Sequence, residues 1–416
     1  VPPKPRKPAA GRPAAPRAAA ASASAKRAAP EPTARSGFEA FAVAAPGLSE
    51  LLAAECVALG LSPLEVTPAG VSLAVDYAQL FMLNAQSRLA SRVLVRLAQF
   101  PVRDFATLEK QAARVPWRQQ LAAGADVRLR VTCRKSRLYH SDAVAERVAR
   151  GITGAIANAR VSTKLQSDDE EENAGESAQL IVVRIEHDVC TISADSSGEL
   201  LHRRGWRQAI AKAPLRETLA AAMLAGMGWH GERALIDPFG GSGTIAIEAA
   251  LMARRIAPGL SRQFVMESWP GADTARLAVL RASLAALVRP SAGVPIVLRD
   301  RDAGAIAAAR ANAERAGVLD DVRIEQGSLS ETDVAAIAPD GLLLTNPPYG
   351  LRVSDGADLR GLFARLGDVM RAGGRSWQLG LLMPADRALL GQLGIRMASR
   401  LRTSNGGIAV ELLASR

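Results

Sequence analysis

The sequence predicts an α/β fold: a mostly parallel, doubly wound sheet in the C-terminal half, preceded by a separate α/β or α+β module. Three observations predict it. From about Leu201, strand-like runs alternate with helix-like ones. A glycine-rich turn at residues 237–244 joins one such strand directly to one such helix. Between Phe38 and Ser197, strands and helices also alternate, but without that turn.

Residues 1–36 are Ala, Pro and basic side chains with no aromatic residue. Such a stretch buries too little apolar surface to offset its ordering entropy and reads as a disordered tail. Its charge suits a solubilising tail or a non-specific tether to phosphates. Order is expected from Phe38. A strand there leads to a turn at Pro46 and Gly47, then an amphipathic helix over 48–59 carrying Leu48, Leu51, Leu52 and Cys56 at helical spacing. The run GVSLAVD alternates as a strand, and AQLFMLNAQSRLASRVLVRLAQF holds a helix and a further strand. DVRLRVTC is a strand with one solvated face. The helix after it begins at Ser141 or Asp142, either of which can cap its free N–H groups. The acidic run 168–172 reads as a solvated loop insert, and the segment 178–197 as two strands joined by a turn at His187 and Asp188.

Past Leu201, APLRETLAAAMLAGMGW is a helix with Pro214 in its first turn. ALIDPFGGSGTIAIEAALMA is strand, glycine turn and helix. VPIVLRDRDAGAIAAARANAERAGV is a strand and a helix capped by Asp302 and stopped at Gly317. VRIEQG, GLLLTNPPYG, WQLGLLMP and GGIAVELL are further strands. Repeated βα units of this kind place ligands at the carboxyl ends of their strands.

Composition excludes more than it selects. The chain of 416 residues has a formal charge of +11, but +7 of it sits in residues 1–36, so the folded part is only mildly basic. No uncharged apolar run reaches membrane-spanning length. Cys56, Cys133 and Cys190 lie far apart, with no CxxC, so neither a disulfide framework nor a zinc site is indicated.

Two motifs carry chemistry. The first is Asp237-Pro238-Phe239-Gly240-Gly241-Ser242-Gly243-Thr244. Its glycines let backbone approach a ligand at a helix N-terminus. A phosphate-binding P-loop needs a lysine where Thr244 stands. A dinucleotide fingerprint needs a further glycine where Ala246 stands, and an acid sooner than Asp300. An S-adenosylmethionine loop, with Asp237 facing the cationic amino-acid end, is the third reading, and a plain tight turn the fourth. Asp300, ending the next strand, suits a ribose; Asp302 suits the cap of the following helix.

The second motif is Asn346-Pro347-Pro348-Tyr349. A base amine conjugated to its ring is a poor nucleophile. The Asn346 side-chain oxygen and the Pro347 carbonyl can each accept one of its N–H bonds and hold its lone pair toward a methyl donor. The prolines fix φ and so preset that carbonyl. Tyr349 offers a face on which a flipped-out base can stack.

With these motifs, the segments FAVAAPGLSELLAAE, SRLASRVL, KSRLYHSDAVAERV, LHRRGWRQAIAKAPLRETLAAAML, DPFGGSGTIAIEAA, APGL and TNPPYGLR resemble the THUMP-containing class I RNA methyltransferases that act on guanine N2, above all the bacterial 23S rRNA enzymes. The resemblance covers residues 38–416 and is weakest over 260–295. It implies a ferredoxin-like plus THUMP RNA-binding module over 37–197 and a Rossmann-like, S-adenosylmethionine-dependent domain over 198–416. It implies Asn346, Pro347 and Tyr349 as catalytic residues. It implies Asp237, Pro238, Gly240, Gly241, Ser242, Gly243, Thr244, Asp300 and Ser328 as cofactor contacts. No metal is expected. RNA is the expected partner, ribosomal RNA ahead of tRNA, in the cytoplasm. The chain departs from the family pattern where Gly240 replaces a cysteine, where Ser328 replaces an acid near the adenine amine, and at Arg299. The basic loop with Arg134, Lys135, Arg137 and Tyr139 suits phosphate contact and stacking. A tRNA guanine-N2 enzyme and a catalytically silent RNA-binding or ribosome-assembly factor are the competing readings.

Overall fold

A computed structural model describes residues 1–3, 37–163, 178–208, 215–349 and 359–415. The body of the basic tail, the acidic run 168–172 and Pro214 lie outside the described residues. Residues from Gly37 onward form one compact unit containing two sheets.

The first sheet belongs to the N-terminal half. In chain order its elements are β1 (Phe38–Val43), α1 (Ser49–Ala58), β2 (Pro63–Thr67), β3 (Gly70–Val75), α2 (Tyr77–Gln86), β4 (Arg92–Pro101), α3 (Phe105–Ala112), β5 (Asp126–Arg134), α4 (Ser141–Ala155), β6 (Arg160–Ser162), β7 (Gln179–Glu186) and β8 (Val189–Asp195). Its described strands run β2-β3-β1-β4-β8-β7-β5-β6. All neighbours are antiparallel except β5, which is parallel to both β7 and β6. Strand β4 joins the two parts, pairing β1 on one side and β8 on the other. Buried and half-buried residues alternate along the start of β5, with Val127, Leu129 and Val131 on the covered face.

Local sequence explains several boundaries. Asp76 and Gln79 form a reciprocal capping box that opens α2. Asp104 caps α3 through the Thr107 N–H at 2.7 Å. Helix α4 does begin at Ser141, but its N-cap is His140 and no side chain caps it, which corrects the expectation for Ser141 and Asp142. The turn between β7 and β8 falls on His187 and Asp188, whose φ values of +50° and +60° give the tight reversal an antiparallel hairpin favours.

The second sheet is built from α5 (Glu217–Gly226), β9 (Ala234–Asp237), α6 (Thr244–Ala253), α7 (Thr274–Ala286), β10 (Ile296–Asp300), α8 (Ala303–Arg315), β11 (Arg323–Gln326), β12 (Gly341–Thr345), α9 (Leu359–Ala372), β13 (Trp377–Met383), α10 (Arg387–Gln392), β14 (Met397–Asn405) and β15 (Ile408–Ser415). Helix α5 opens at Glu217 with Arg216 as N-cap. Strand order is β11-β10-β9-β12-β13-β15-β14. The first five strands in that order are mutually parallel; β15 and β14 form an antiparallel edge. Every residue of β9 and β12 is buried, as central strands covered on both faces must be. The direction of strand addition reverses between β9 and β12, and crevices at such reversals receive ligands.

The sheets are tied by buried polar contacts. The Glu248 carboxylate in α6, with no exposed side-chain surface, lies 3.7 Å from Arg88 and 3.4 Å from Arg204. Arg88 also donates to the carbonyl oxygens of Leu251 and Ile256. Trp269 Nε1 donates to Gln179 Oε1 at 2.8 Å, and the Tyr77 hydroxyl donates to the Met266 carbonyl. No helix among the described residues is long and apolar enough to cross a membrane.

Candidate active site

The glycine loop leaves the carboxyl end of β9 at Asp237 and returns as α6. Gly241 and Gly243 have φ of +52° and +91°, conformations that β-carbons disfavour. The Gly240 N–H reaches the Arg299 carbonyl at 3.0 Å, and the Gly243 N–H folds back on the Gly240 carbonyl at 2.8 Å. The two adjacent glycines at 240 and 241 answer different needs. A β-carbon on Gly240 would stand 2.3 Å from Leu298 Cγ, so its bareness serves packing. A β-carbon on Gly241 would meet nothing within 4 Å, so this stretch of backbone faces open space.

Pro238, Ser242 and Thr244 are buried. The Ser242 carbonyl accepts from the buried Asn312 side chain at 3.0 Å, and the Thr244 hydroxyl accepts from Arg207 at 3.0 Å. Arg207 also pairs with Glu217 at 3.1 Å. Burial pushes the Glu217 carboxyl up to about 7, against the pull of Arg207.

Asp300 ends β10 beside this loop. One of its oxygens accepts the Gly241 N–H at 2.9 Å and the other accepts the Asp302 N–H at 2.9 Å. Asp302 itself caps α8 through the Ala305 N–H at 2.9 Å. Ser328 follows β11 at the same end of the sheet and donates to Glu331 at 2.9 Å.

Asp237 is 2% exposed. Its Oδ1 accepts the Thr345 hydroxyl at 2.6 Å and the Phe239 N–H at 3.2 Å. Burial pushes this carboxyl up to about 7; the Thr345 and Phe239 bonds pull it down, and the nearby Asp300 charge pushes it further up.

Thr345 ends β12, the parallel neighbour of β9, and Asn346 follows it. The two motifs therefore emerge side by side at one sheet edge. The Asn346 Oδ1 is buried and has no hydrogen-bond partner among the described residues. An amide oxygen left so costs roughly 1–3 kcal/mol, which a bound N–H donor would relieve. Pro347 is buried and Pro348 half-buried. Tyr349 corrects an expectation. The residue is 3% exposed and its hydroxyl accepts from Asn405 of β14 at 3.1 Å, so it does not present an open face to a stacked base.

In the N-terminal half, Arg134, Lys135, Arg137 and Tyr139 are exposed, Tyr139 at 68%. Their loop is held from beneath. Leu138 is buried, the Arg137 N–H donates to Asp188 at 2.8 Å, and the Asp188 N–H donates to Ser136 Oγ at 3.0 Å. The Tyr139 and His140 rings lie 4.1 Å apart. Arg103, which sequence reasoning missed, joins this basic loop. It pairs with Asp188 at 3.5 Å while staying exposed. No local signal marks it, because the hairpin turn alone brings it there. Thr345 was missed too, since a lone threonine before the prolines carries no chemistry of its own.

Comparison with known proteins adds family context. Residues 204–410 match a family described as an RMKL-like methyltransferase domain, and residues 39–94 match one described as the RlmL ferredoxin-like domain. The chain is 36% identical, over 90% of its length, to the "Ribosomal RNA large subunit methyltransferase K/L" of Syntrophotalea carbinolica, of which it covers 53%. It is 32% identical to the "Putative RNA methyltransferase slr0064" of a Synechocystis species, covering 90% of this chain and 95% of that one. The chain thus spans about half the length of the K/L relatives and nearly all of the second. The crystal structure of SMU.472 complexed with SAH superposes with a TM-score of 0.80 at 26% identity, covering 91% of this chain and 98% of that one.

Proposed function

The chain belongs to the RMKL-like methyltransferases with a ferredoxin-like N-terminal domain, and from that premise we propose that it is an S-adenosylmethionine-dependent RNA methyltransferase acting on guanine N2 in 23S rRNA. One observation carries the reading: the buried Asn346 Oδ1, without a hydrogen-bond partner among the described residues, at the sheet edge shared with the open Gly241 backbone. An oxygen so placed awaits a donor, and an exocyclic base amine supplies one.

The fit to the cofactor rests on the same edge. Asp237, through the oxygen not used by Thr345, would take the ammonium end. Gly241 leaves room for close approach, and Asp300 would take ribose hydroxyls. Gly240, Ser242, Gly243 and Thr244 act from behind by shaping the turn, and Ser328 lies at the adenine side. When bound, the cofactor supplies a sulfonium methyl. Asn346 Oδ1 and the Pro347 carbonyl would accept the two amine N–H bonds and keep the lone pair free for that methyl; the surplus proton of the methylated amine would pass to solvent, so no strong general base is required. Tyr349 would offer its face only if the loop leaves Asn405. Arg103, Arg134, Lys135 and Arg137 would hold RNA phosphates, with Tyr139 available for stacking, and would position the substrate without choosing its base.

The test is incubation of the protein with methyl-labelled cofactor and either 23S rRNA or tRNA from cells lacking the gene, followed by nucleoside mass analysis. N2-methylguanosine in rRNA is expected. Label only in tRNA overturns the ribosomal assignment, and label on adenine overturns the guanine one. Failure to bind cofactor in calorimetry makes the protein a silent RNA-binding factor.

A further inference from the structure

The functional reading gives Thr345 no role, yet Thr345 is fully buried and its hydroxyl makes a 2.6 Å bond to the acid of the glycine loop. It links the strand that leads into the second motif to the acid that opens the first. Its hydroxyl donates across from β12 to β9, and its own peptide carries Asn346. Asp237 Oδ1 is thereby occupied by two donors, Thr345 and Phe239, while Oδ2 accepts no hydrogen bond among the described residues.

We propose that Thr345 is a positioning residue that couples the two halves of the site, fixing the Asp237 carboxylate so that Oδ2 faces the ligand's ammonium group and fixing the β12 terminus so that Asn346 meets the base amine. The proposal rests on the functional reading above and deepens it.

The coupling has a pH signature. The groups facing Asp237 are the Thr345 hydroxyl on β12, the Phe239 N–H of its own loop, and Asp300 on β10. Below about 7 the Asp237 carboxyl holds a proton. With Oδ1 taken by donors, that proton goes to Oδ2 and opposes an ammonium. Cofactor affinity therefore falls as pH drops through about 7. Removing the Thr345 donor removes an influence that lowers the Asp237 pKa, so the fall moves to higher pH.

The experiment is calorimetric titration of the full chain with S-adenosylmethionine from roughly pH 6 to pH 9, for wild type, Thr345→Val and Thr345→Ser. In Thr345→Val the expected result is about tenfold or more weaker binding near neutrality, the loss of one charged hydrogen bond, with the pH profile displaced to the alkaline side. Thr345→Ser, which keeps the hydroxyl, is expected to follow wild type in both. If Thr345→Val does not fold, Thr345→Ala repeats the test without a methyl pressed against the carboxylate. A hydroxyl-free variant that binds with wild-type affinity and profile overturns the coupling while leaving the functional reading intact, as does a serine variant that behaves like valine. Wild-type protein that binds no cofactor at any pH overturns both.

Discussion

Asn346 and Asp237 share a physical predicament: each is a polar group taken out of water before its partner arrives. For Asn346 the atom without a partner among the described residues is Oδ1. Under the proposed function, Asn346→Ala would remove one of the two acceptors that orient the amine. Turnover is expected to fall by about a hundredfold or more, the cost of losing alignment at the reacting atoms, while RNA affinity stays within a factor of about two, since phosphate contacts dominate it. Single-turnover rates beside filter-binding constants check this. An equal loss of both would mean that Asn346 holds RNA and does not direct the amine. Asp237 carries its predicament into stability. Its folded pKa is raised to about 7 from an ordinary 3.8, so the folded state holds a proton that the unfolded chain has already released. That contribution is fully present below the unfolded value and is lost as pH rises toward 7.

At the scale of elements, the turn from β9 to α6 shows how a loop composition is set by the strand beside it. Gly240 is bare because Leu298, in the middle of β10, fills the space its β-carbon would need. Gly240→Cys is expected to destabilise the protein by about 1–3 kcal/mol, the usual cost of overpacking. Leu298→Ala in the same chain is expected to return part of that loss. Denaturant unfolding of the two singles and the double checks the coupling, and strictly additive effects would refute it. Legibility in the sequence follows the same division. The β9 turn, the Asp302 cap, the capped strand-helix units and the Asn-Pro-Pro-Tyr loop were readable because each is specified within about ten residues. Helix α3 and the Ala-rich α7, β2 and the three-residue β6 were not singled out, because their patterns are short or weakly periodic. The partner of the Tyr349 hydroxyl is Asn405, fifty-six residues on. Arg103 reaches the basic loop only through the β7–β8 hairpin. Such placements come from tertiary pairing, which no local window contains.

At the scale of the molecule, the two sheets meet through Glu248 and the two arginines it faces. In a helix read from sequence as IEAALMA, nothing marks that glutamate as an ion pair. Replacing Glu248 with Ala leaves Arg88 and Arg204 buried without their counter-charge. The expected cost is about 3–5 kcal/mol of stability, visible as a lowered denaturant midpoint. Unchanged stability would mean that Glu248 adds nothing to the hold that the Trp269–Gln179 and Tyr77–Met266 bonds and the apolar contacts provide.

The pairing of β4 with β1 on one side and β8 on the other has a consequence for the proposed reach along RNA. A grip and a reaction centre joined by a flexible hinge would sample many spans along a folded RNA. Here β4 stitches the ferredoxin-like strands to the strands bearing the basic loop, and buried charges clamp that ladder to the second sheet. Under the proposed function, a grip and a reaction centre held at such a fixed separation would set the reach along a folded RNA by distance, and a target base at another span from the anchoring fold would go unmethylated.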